Sequence, residues 1–303
     1  MARAAAALLA LLALLALGAC GGGASASDAA KAEAPTIRIG TKNFTEQYLL
    51  GELYAQALKA EGFRVQLKPD LGSSEIVHRA LASGALDLYP EYVGVLLSEI
   101  AGVRERPRRP RAAERLARRL EQGLGLALLR TTPFSDANAL AVLPRDARRL
   151  GLRTIADLRR VPGGARIGAP PEFASRFEGL LGLAELYGLE DLRATALPIG
   201  EQYDALDEDR VDAAAVFTTD GRLADGGYVL LDDPRGVFAT QHAAPVVRQA
   251  VLRVHGRRLA ATLDAVSARL TTSVMRDMNA AVDLRGEQPG TVADRFLRAN
   301  GLK

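Results

Sequence analysis

The stretch from Ile37 to Val95 constrains the fold of this chain more than any other. Ile37 and Ile39 alternate with Arg38 and Gly40, the period-two pattern of a short strand. At Thr45 the period changes, and Leu49, Leu50, Leu53, Tyr54, Ala57 and Leu58 make one apolar helical stripe. Asn43 stands where an N-cap is expected, with Glu46 three residues on as its capping-box partner. Gly62 ends that helix, and Phe63, Val65 and Leu67 alternate as a second strand. Ile76, Val77, Ala80 and Leu81 share a face of a second helix, Gly84 lies near its end, and Asp87-Leu88-Tyr89 forms a third strand. The result is βαβαβ, half of an open parallel sheet, and such sheets bind ligands outside the carboxyl ends of their strands. Two of those ends fall at Gly40 to Asn43 and at Tyr89 to Tyr92.

The rest of the chain completes two lobes. With 303 residues there is enough chain for two modest cores. Val103 to Gln122 concentrates arginine, which raises the question of nucleic acid. That segment has no aromatic platform, so it is expected to be a Pro-broken loop and a helix with Leu116, Leu120 and Leu124 inward and its arginines solvated. Strands at Leu126 to Leu129 and Ala139 to Leu143 flank a first crossing at Thr131 to Asp136. A second lobe then follows. It has a short helix capped by Thr154, a strand at Ala165 to Gly168, and a helix opened by Pro170-Pro171 with Phe173, Phe177, Leu180, Leu181 and Leu183 mostly inward. Strands at Leu192 to Leu197, Val211 to Phe217 and Tyr228 to Leu231 follow, with a short helix from Tyr203 to Asp209. A return crossing spans Phe238 to Pro245, and Val246 to Lys303 is expected to be helical and to pack back on the first lobe. The organisation is therefore 36–136 and 240–303 for lobe one and 137–239 for lobe two, with no internal sequence repeat.

The N-terminus is a different object. Arg3 precedes an apolar run from Leu8 to Leu17 that is too short to span a bilayer comfortably, the pattern of a secretory signal over residues 1–19. Leu17-Gly18-Ala19-Cys20 looks like a lipobox, which makes Cys20 the expected lipidation site and new N-terminus. Cys20 is the single cysteine, so no disulfide can form within the chain. Residues 20–35 are small and polar and bury too little apolar surface to fold, so they form a tether. Loss of residues 1–19 removes one positive charge, Arg3, and takes the formal net charge from +3 to +2.

No group in the chain has the setting of a catalyst. His78, His242 and His255 lie far apart without metal-ligand spacing, and neither a GxSxG elbow nor a P-loop pattern occurs. The expectation is a binding protein rather than an enzyme, without metal or cofactor.

GTKNFTEQ at Gly40, the run LGSSEIVHRALASGALDLYPEY from Leu71 and FTTDGRL at Phe217 resemble the substrate-binding lipoproteins of osmoprotectant ABC importers, over about Ile37 to Leu302. That resemblance implies an α/β fold of the type II periplasmic binding protein kind, with two lobes, a hinge and an interlobe cleft. It implies a monomer, lipid-anchored outside the cytoplasm, that delivers a small glycine betaine-, choline- or carnitine-like solute to a membrane permease driven by a cytoplasmic ATPase. A quaternary ammonium has no N–H to donate, so aromatic faces recognise it, each desolvated contact contributing about 2 kcal/mol. By the same resemblance Tyr92 and Phe217 match aromatic cage positions, Arg176 the carboxylate-binding arginine, and Lys42 and Phe173 neighbouring pocket positions. The chain departs from the pattern at Asn138 and Gln241, where the family commonly has aromatics, and at Val95, where it has a hydroxyl donor. Amides give little to a trimethylammonium. Two alternatives stay open: a more polar solute than a betaine, or a sensor that reports occupancy to a membrane receptor.

Overall fold

The computed structural model describes residues 35–103, 107 and 109–303, and residues 35–303 form one compact unit. Cys20 and the tether up to residue 34 lie outside the described residues.

The first sheet begins as the sequence pattern predicts. Strand β1 (Ile37–Gly40) leads through helix α1 (Thr45–Ala60) to β2 (Val65–Lys68), then through α2 (Ser74–Ala82) to β3 (Leu88–Tyr92). β1 pairs in parallel with both β2 and β3. Helix α3 (Pro110–Gly123) follows, and β4 (Leu126–Leu128) reaches the far edge of the same sheet. The inward face of α3 carries Ala113, Ala117 and Glu121 rather than the leucines alone. Leu124 falls beyond the helix end and is exposed.

The second sheet holds β5 (Asn138–Val142), β6 (Arg166–Ala169), β7 (Arg193–Ala196), β8 (Ala213–Phe217) and β9 (Val229–Leu230), with the short helices α4 (Pro144–Leu150), α5 (Gly182–Tyr187) and α6 (Glu201–Asp207) between them. The expected helix after Pro170-Pro171 is broken. Residues 171–174 make one tight turn, Glu178 and Gly179 leave helical geometry, and regular helix resumes only at Gly182. Phe177 and Leu181 are therefore exposed, while Phe173 and Leu183 are buried.

The chain then returns to the first sheet as a strand, not a helix: β10 (Ala243–Arg248) runs antiparallel between β3 and β4. Only after Arg248 do the C-terminal helices α7 (Gln249–Ser267), α8 (Thr272–Asp283) and α9 (Pro289–Ala299) begin. Pro245, opposite Pro90, is tolerated in this central strand because its carbonyl still accepts from the Leu129 N–H.

Both sheets share one order, β2-β1-β3-β10-β4 and β7-β6-β8-β5-β9. Each is the same winding, four strands running one way with a single antiparallel strand, β10 or β5, in fourth place, although the two halves share no sequence repeat. Alternation along the strands covers both faces of each sheet. In β5, Leu140 and Val142 join one core while Ala139 and Ala141 join the opposite one. In β10, Ala243 and Val247 pack under α1 and α7, and Ala244 and Val246 under α2 and α3.

Two chain crossings join the lobes and are hydrogen-bonded to each other. Ser135 bridges His242, the Gln241 N–H donates to Ser135 Oγ at 2.9 Å, and the Asp136 N–H donates to the Gln241 carbonyl at 3.0 Å. A third link comes from α8. Arg276 Nε and Asn279 Nδ2 donate to the carbonyls of Thr218 and Thr219, at 2.7 and 2.8 Å, in the turn that follows β8.

Candidate ligand cleft between the lobes

The carboxyl end of β1 carries Thr41 to Phe44 into α1. Phe44, not Asn43, is the N-cap residue, in extended conformation, and no side chain caps the helix. Glu46 accordingly does not close a capping box. It is buried and accepts from the Tyr92 hydroxyl at 2.8 Å and from Asn279 Nδ2 at 3.1 Å. The reason is tertiary: α8 arrives from more than 200 residues away and presents Asn279 to the start of α1.

Lys42 is buried beside Glu91, its Nζ 2.5 Å from Glu91 Oε1 and 3.2 Å from Ser74 Oγ. The same ammonium lies 4.3 Å from the Tyr92 ring centroid and 5.5 Å from that of Phe44. Phe44 and Tyr92 are stacked at 6.3 Å and 19°. Tyr92 is only 3% exposed, whereas Phe44 is 38% exposed at the carboxyl end of the sheet.

In the second lobe Asn138 and Phe217 are register partners across β5 and β8, side by side at the sheet's open end. Asn138 Nδ2 donates to Glu178 at 2.9 Å. Gln241 is buried, and its Oε1 accepts from the Val95 N–H at 3.1 Å. It lies so close to Gly94 that a Cβ there would come within 2.5 Å of the amide. Both amides are thus already engaged by the protein. Phe173 packs into the second-lobe core. Arg176 is exposed and lies 3.9 Å from Glu172.

One carboxylate registers both lobes. Glu75, at the start of α2, is held below the usual range by the Ser73 hydroxyl and its own N–H, and then by the charges of Arg176 and Lys42. Lys42 reaches the residue beside it, its Nζ donating to Ser74 Oγ.

Beneath it lies a group of buried acids. Burial pushes Asp136 well up, helped by the neighbouring Glu46 charge and opposed by the Thr219 hydroxyl, which donates to it at 2.7 Å. Burial likewise raises Glu46. Asp220 is pushed up to about 6 by burial, against donation from the Phe217 N–H and the Tyr203 hydroxyl. Among the described residues no cluster of histidine, cysteine or acidic side chains has the makings of a metal site.

Comparison with known proteins places the chain in a family and supports its fold. Residues 35–299 match the family described as the substrate binding domain of ABC-type glycine betaine transport systems. The chain belongs to this family. It is 36% identical over 285 residues to a glycine-betaine-binding protein of Pseudomonas aeruginosa, covering 90% of this chain and 91% of that one. It is 26% identical over 271 residues to the ergothioneine transport permease/ergothioneine binding protein EgtU of Helicobacter pylori, covering 89% of this chain and 48% of that protein. Among solved structures, ligand-free YehZ of Escherichia coli superposes with a TM-score of 0.74 at 29% identity, covering 89% of this chain and all of that one. A glycine betaine/carnitine/choline ABC transporter structure gives 0.79 at 24% identity, over 88% and 99%. The fold is that of the type II periplasmic binding proteins, and the chain is a solute-capturing component of an ABC transport system. Among the described residues no helix is long and apolar enough to cross a membrane.

Sequence reasoning missed Phe44 and the Glu46–Asp136–Asn279 group. Phe44 lies within the GTKNFTEQ run, beside Lys42 at the end of a strand, and that position was the available signal.

Proposed function

We propose that this protein is a lipid-anchored, extracytoplasmic binding protein that captures a small trimethylammonium zwitterion between its lobes and delivers it to a permease. The observation that carries the reading is the Lys42 ammonium beside the stacked Phe44–Tyr92 pair at the carboxyl end of the first sheet. Charge for a carboxylate and rings for a cation thus meet at the carboxyl ends of the strands. The relatives' names add glycine betaine and ergothioneine, and both molecules combine a trimethylammonium with a carboxylate. Arg176 from the second lobe is the partner of that carboxylate, and Phe217 is a wall. Asn138 and Gln241 shape the cleft through bonds to Glu178 and Val95. Cys20 is the site of the anchor, and closure about the paired crossings follows ligand binding.

Calorimetry on residues 21–303 with glycine betaine, carnitine, ergothioneine, choline and proline tests this reading. A zwitterionic trimethylammonium should bind more tightly than choline, and Arg176→Ala should narrow that difference by removing a charge-assisted bond worth about 1.5–3 kcal/mol. Absence of binding by every trimethylammonium compound would reject the proposal. For the anchor, Cys20→Ala should move the protein from the membrane to the soluble fraction.

A further inference from the structure

We infer that the face of the first lobe opposite the cleft, centred on Val254 in α7, docks on an anionic lipid surface and holds the cleft turned away from the membrane. This rests on the membrane-anchored reading above and adds the surface that the folded body uses there. The tether joins the body at this face: Pro35 and Thr36, where the described chain begins, line one recess of about 340 Å³ with Arg38, Arg248 and Val254. The recess lies at the amino ends of the parallel strands. Ile37 opens β1 there, and the Arg248 N–H, at the end of the antiparallel β10, donates to the Asp87 carbonyl just before β3. As a flexible chain, residues 20–34 span about 20 Å. An anchor at Cys20 therefore keeps this face within about two Debye lengths of the headgroups.

The chemistry of the face suits such a surface. Helix α7 leaves helical geometry at Gly256, whose φ of 70° suits glycine. Around that break Arg253, Val254, Arg257 and Arg258 are all exposed, Val254 by 60%. Arg253 and Arg257 have no acidic partner among the described residues. By contrast Arg145, Arg166 and Arg298, also exposed, are each paired with an aspartate. Arg258 is held 4.7 Å from the Phe63 ring centroid. Asp87 is shared between Arg38 and Arg248, at 2.8 and 3.4 Å, which leaves positive charge in excess. The acid Glu61 sits farther along α7, beside Thr262. An exposed valine ringed by arginines fits an interfacial contact, in which the apolar group enters the headgroup layer and the guanidinium groups meet phosphates. The cleft, at the other end of the same strands, then opens towards the solute rather than towards the bilayer.

The experiment sediments residues 21–303, without lipid, with vesicles of phosphatidylcholine alone or mixed with phosphatidylglycerol. Each variant is first checked for an unchanged melting curve. Wild type should bind the anionic vesicles at low salt, release as salt is raised, and ignore the neutral ones. Arg253→Gln with Arg257→Gln should weaken that binding about 25-fold, since each arginine at such a surface adds about fivefold. The control is α3, which precedes the edge strand β4 and also exposes arginines: Arg111→Gln with Arg115→Gln should change binding by less than about threefold. The chain has no tryptophan, so Val254→Trp and, on the second lobe, Ile199→Trp each give a single reporter. Emission of the first should shift to the blue on anionic vesicles, and that of the second should not. No binding by wild type at low salt, equal losses in the two arginine pairs, or a blue shift at Ile199→Trp alone would overturn the inference. No lipid is attached in these assays, so their failure is distinct from failure of the Cys20 anchor, which the fractionation of Cys20→Ala decides.

Discussion

At Gly221 the second lobe packs tightly against the first. It follows the β8 turn, and a Cβ built on it would lie 2.6 Å from the backbone nitrogen of Ala280 and 2.7 Å from its Cα, in the middle of α8. Ordinary Cβ contacts begin near 3.4 Å, so Gly221→Ala must move a whole helix away from the turn by about 0.8 Å, the difference between 3.4 and 2.6 Å. The φ of Gly221 is ordinary, so the substitution carries no left-handed strain. On its own it would stabilise by about 0.4–1 kcal/mol, by restricting the unfolded chain. Crowding against main chain acts the other way at about 1–3 kcal/mol, because a helix backbone cannot turn aside as a side chain can. The net expectation is a loss of up to about 2.5 kcal/mol, or a Tm lower by up to roughly 5 °C for a unit of this size. The Arg276 and Asn279 bonds to Thr218 and Thr219 would lengthen with it. Gly227 is the control: nothing lies within 4 Å of its would-be Cβ and its φ is ordinary, so Gly227→Ala should be neutral or slightly stabilising. Thermal melts and urea titrations of the two variants decide the matter. A Gly221→Ala protein as stable as Gly227→Ala would refute the close approach of loop and helix on which the interlobe link depends.

Two further outcomes concern the buried charges. Asp220 has its carboxyl raised from 3.8 to about 6, so the folded state holds that proton more tightly than the unfolded chain. Its contribution is fully present below about pH 4 and is lost as pH rises through 6. Between about pH 7.5 and pH 4, wild type should therefore gain up to about 3 kcal/mol over Asp220→Asn, measured by urea unfolding at each pH; a difference that does not change with pH would contradict the burial of that carboxyl. Lys42→Met strands the wholly buried Glu91 without its cation and should cost about 3–5 kcal/mol, most of it recovered in Lys42→Met with Glu91→Gln. Additive effects of the two substitutions in a double-mutant cycle would mean that the pair is not coupled.

What the sequence determined on its own was local. The stripe Leu49, Leu50, Leu53, Tyr54, Ala57 and Leu58 faces a core wherever that core comes from, so α1 and its flanking strands were legible from periodicity. The lobe-to-lobe crossings and the carboxyl-end position of the cleft follow from the order of strands and helices. Where the local signal was weak, the sequence misled. Ala243 to Arg248 contains a proline and two alanines, and only its partners β3 and β4, far away in the chain, make it a central strand. Phe177 and Leu181 fit a helical stripe, but Gly179 breaks the helix that would have turned them inward. The roles of Glu46, Phe44 and Tyr92 were decided by tertiary structure alone. Glu46 fits a capping box by spacing, yet α8 covers it with Asn279 and turns it into the buried acceptor of Tyr92. Tyr92, a cage position by resemblance, ends closed to solvent beside Lys42, while Phe44, which the sequence reading passed over, ends partly exposed. Spacing along a chain reports which side chains can share a face, whereas burial and charge pairing depend on what arrives from elsewhere to cover that face.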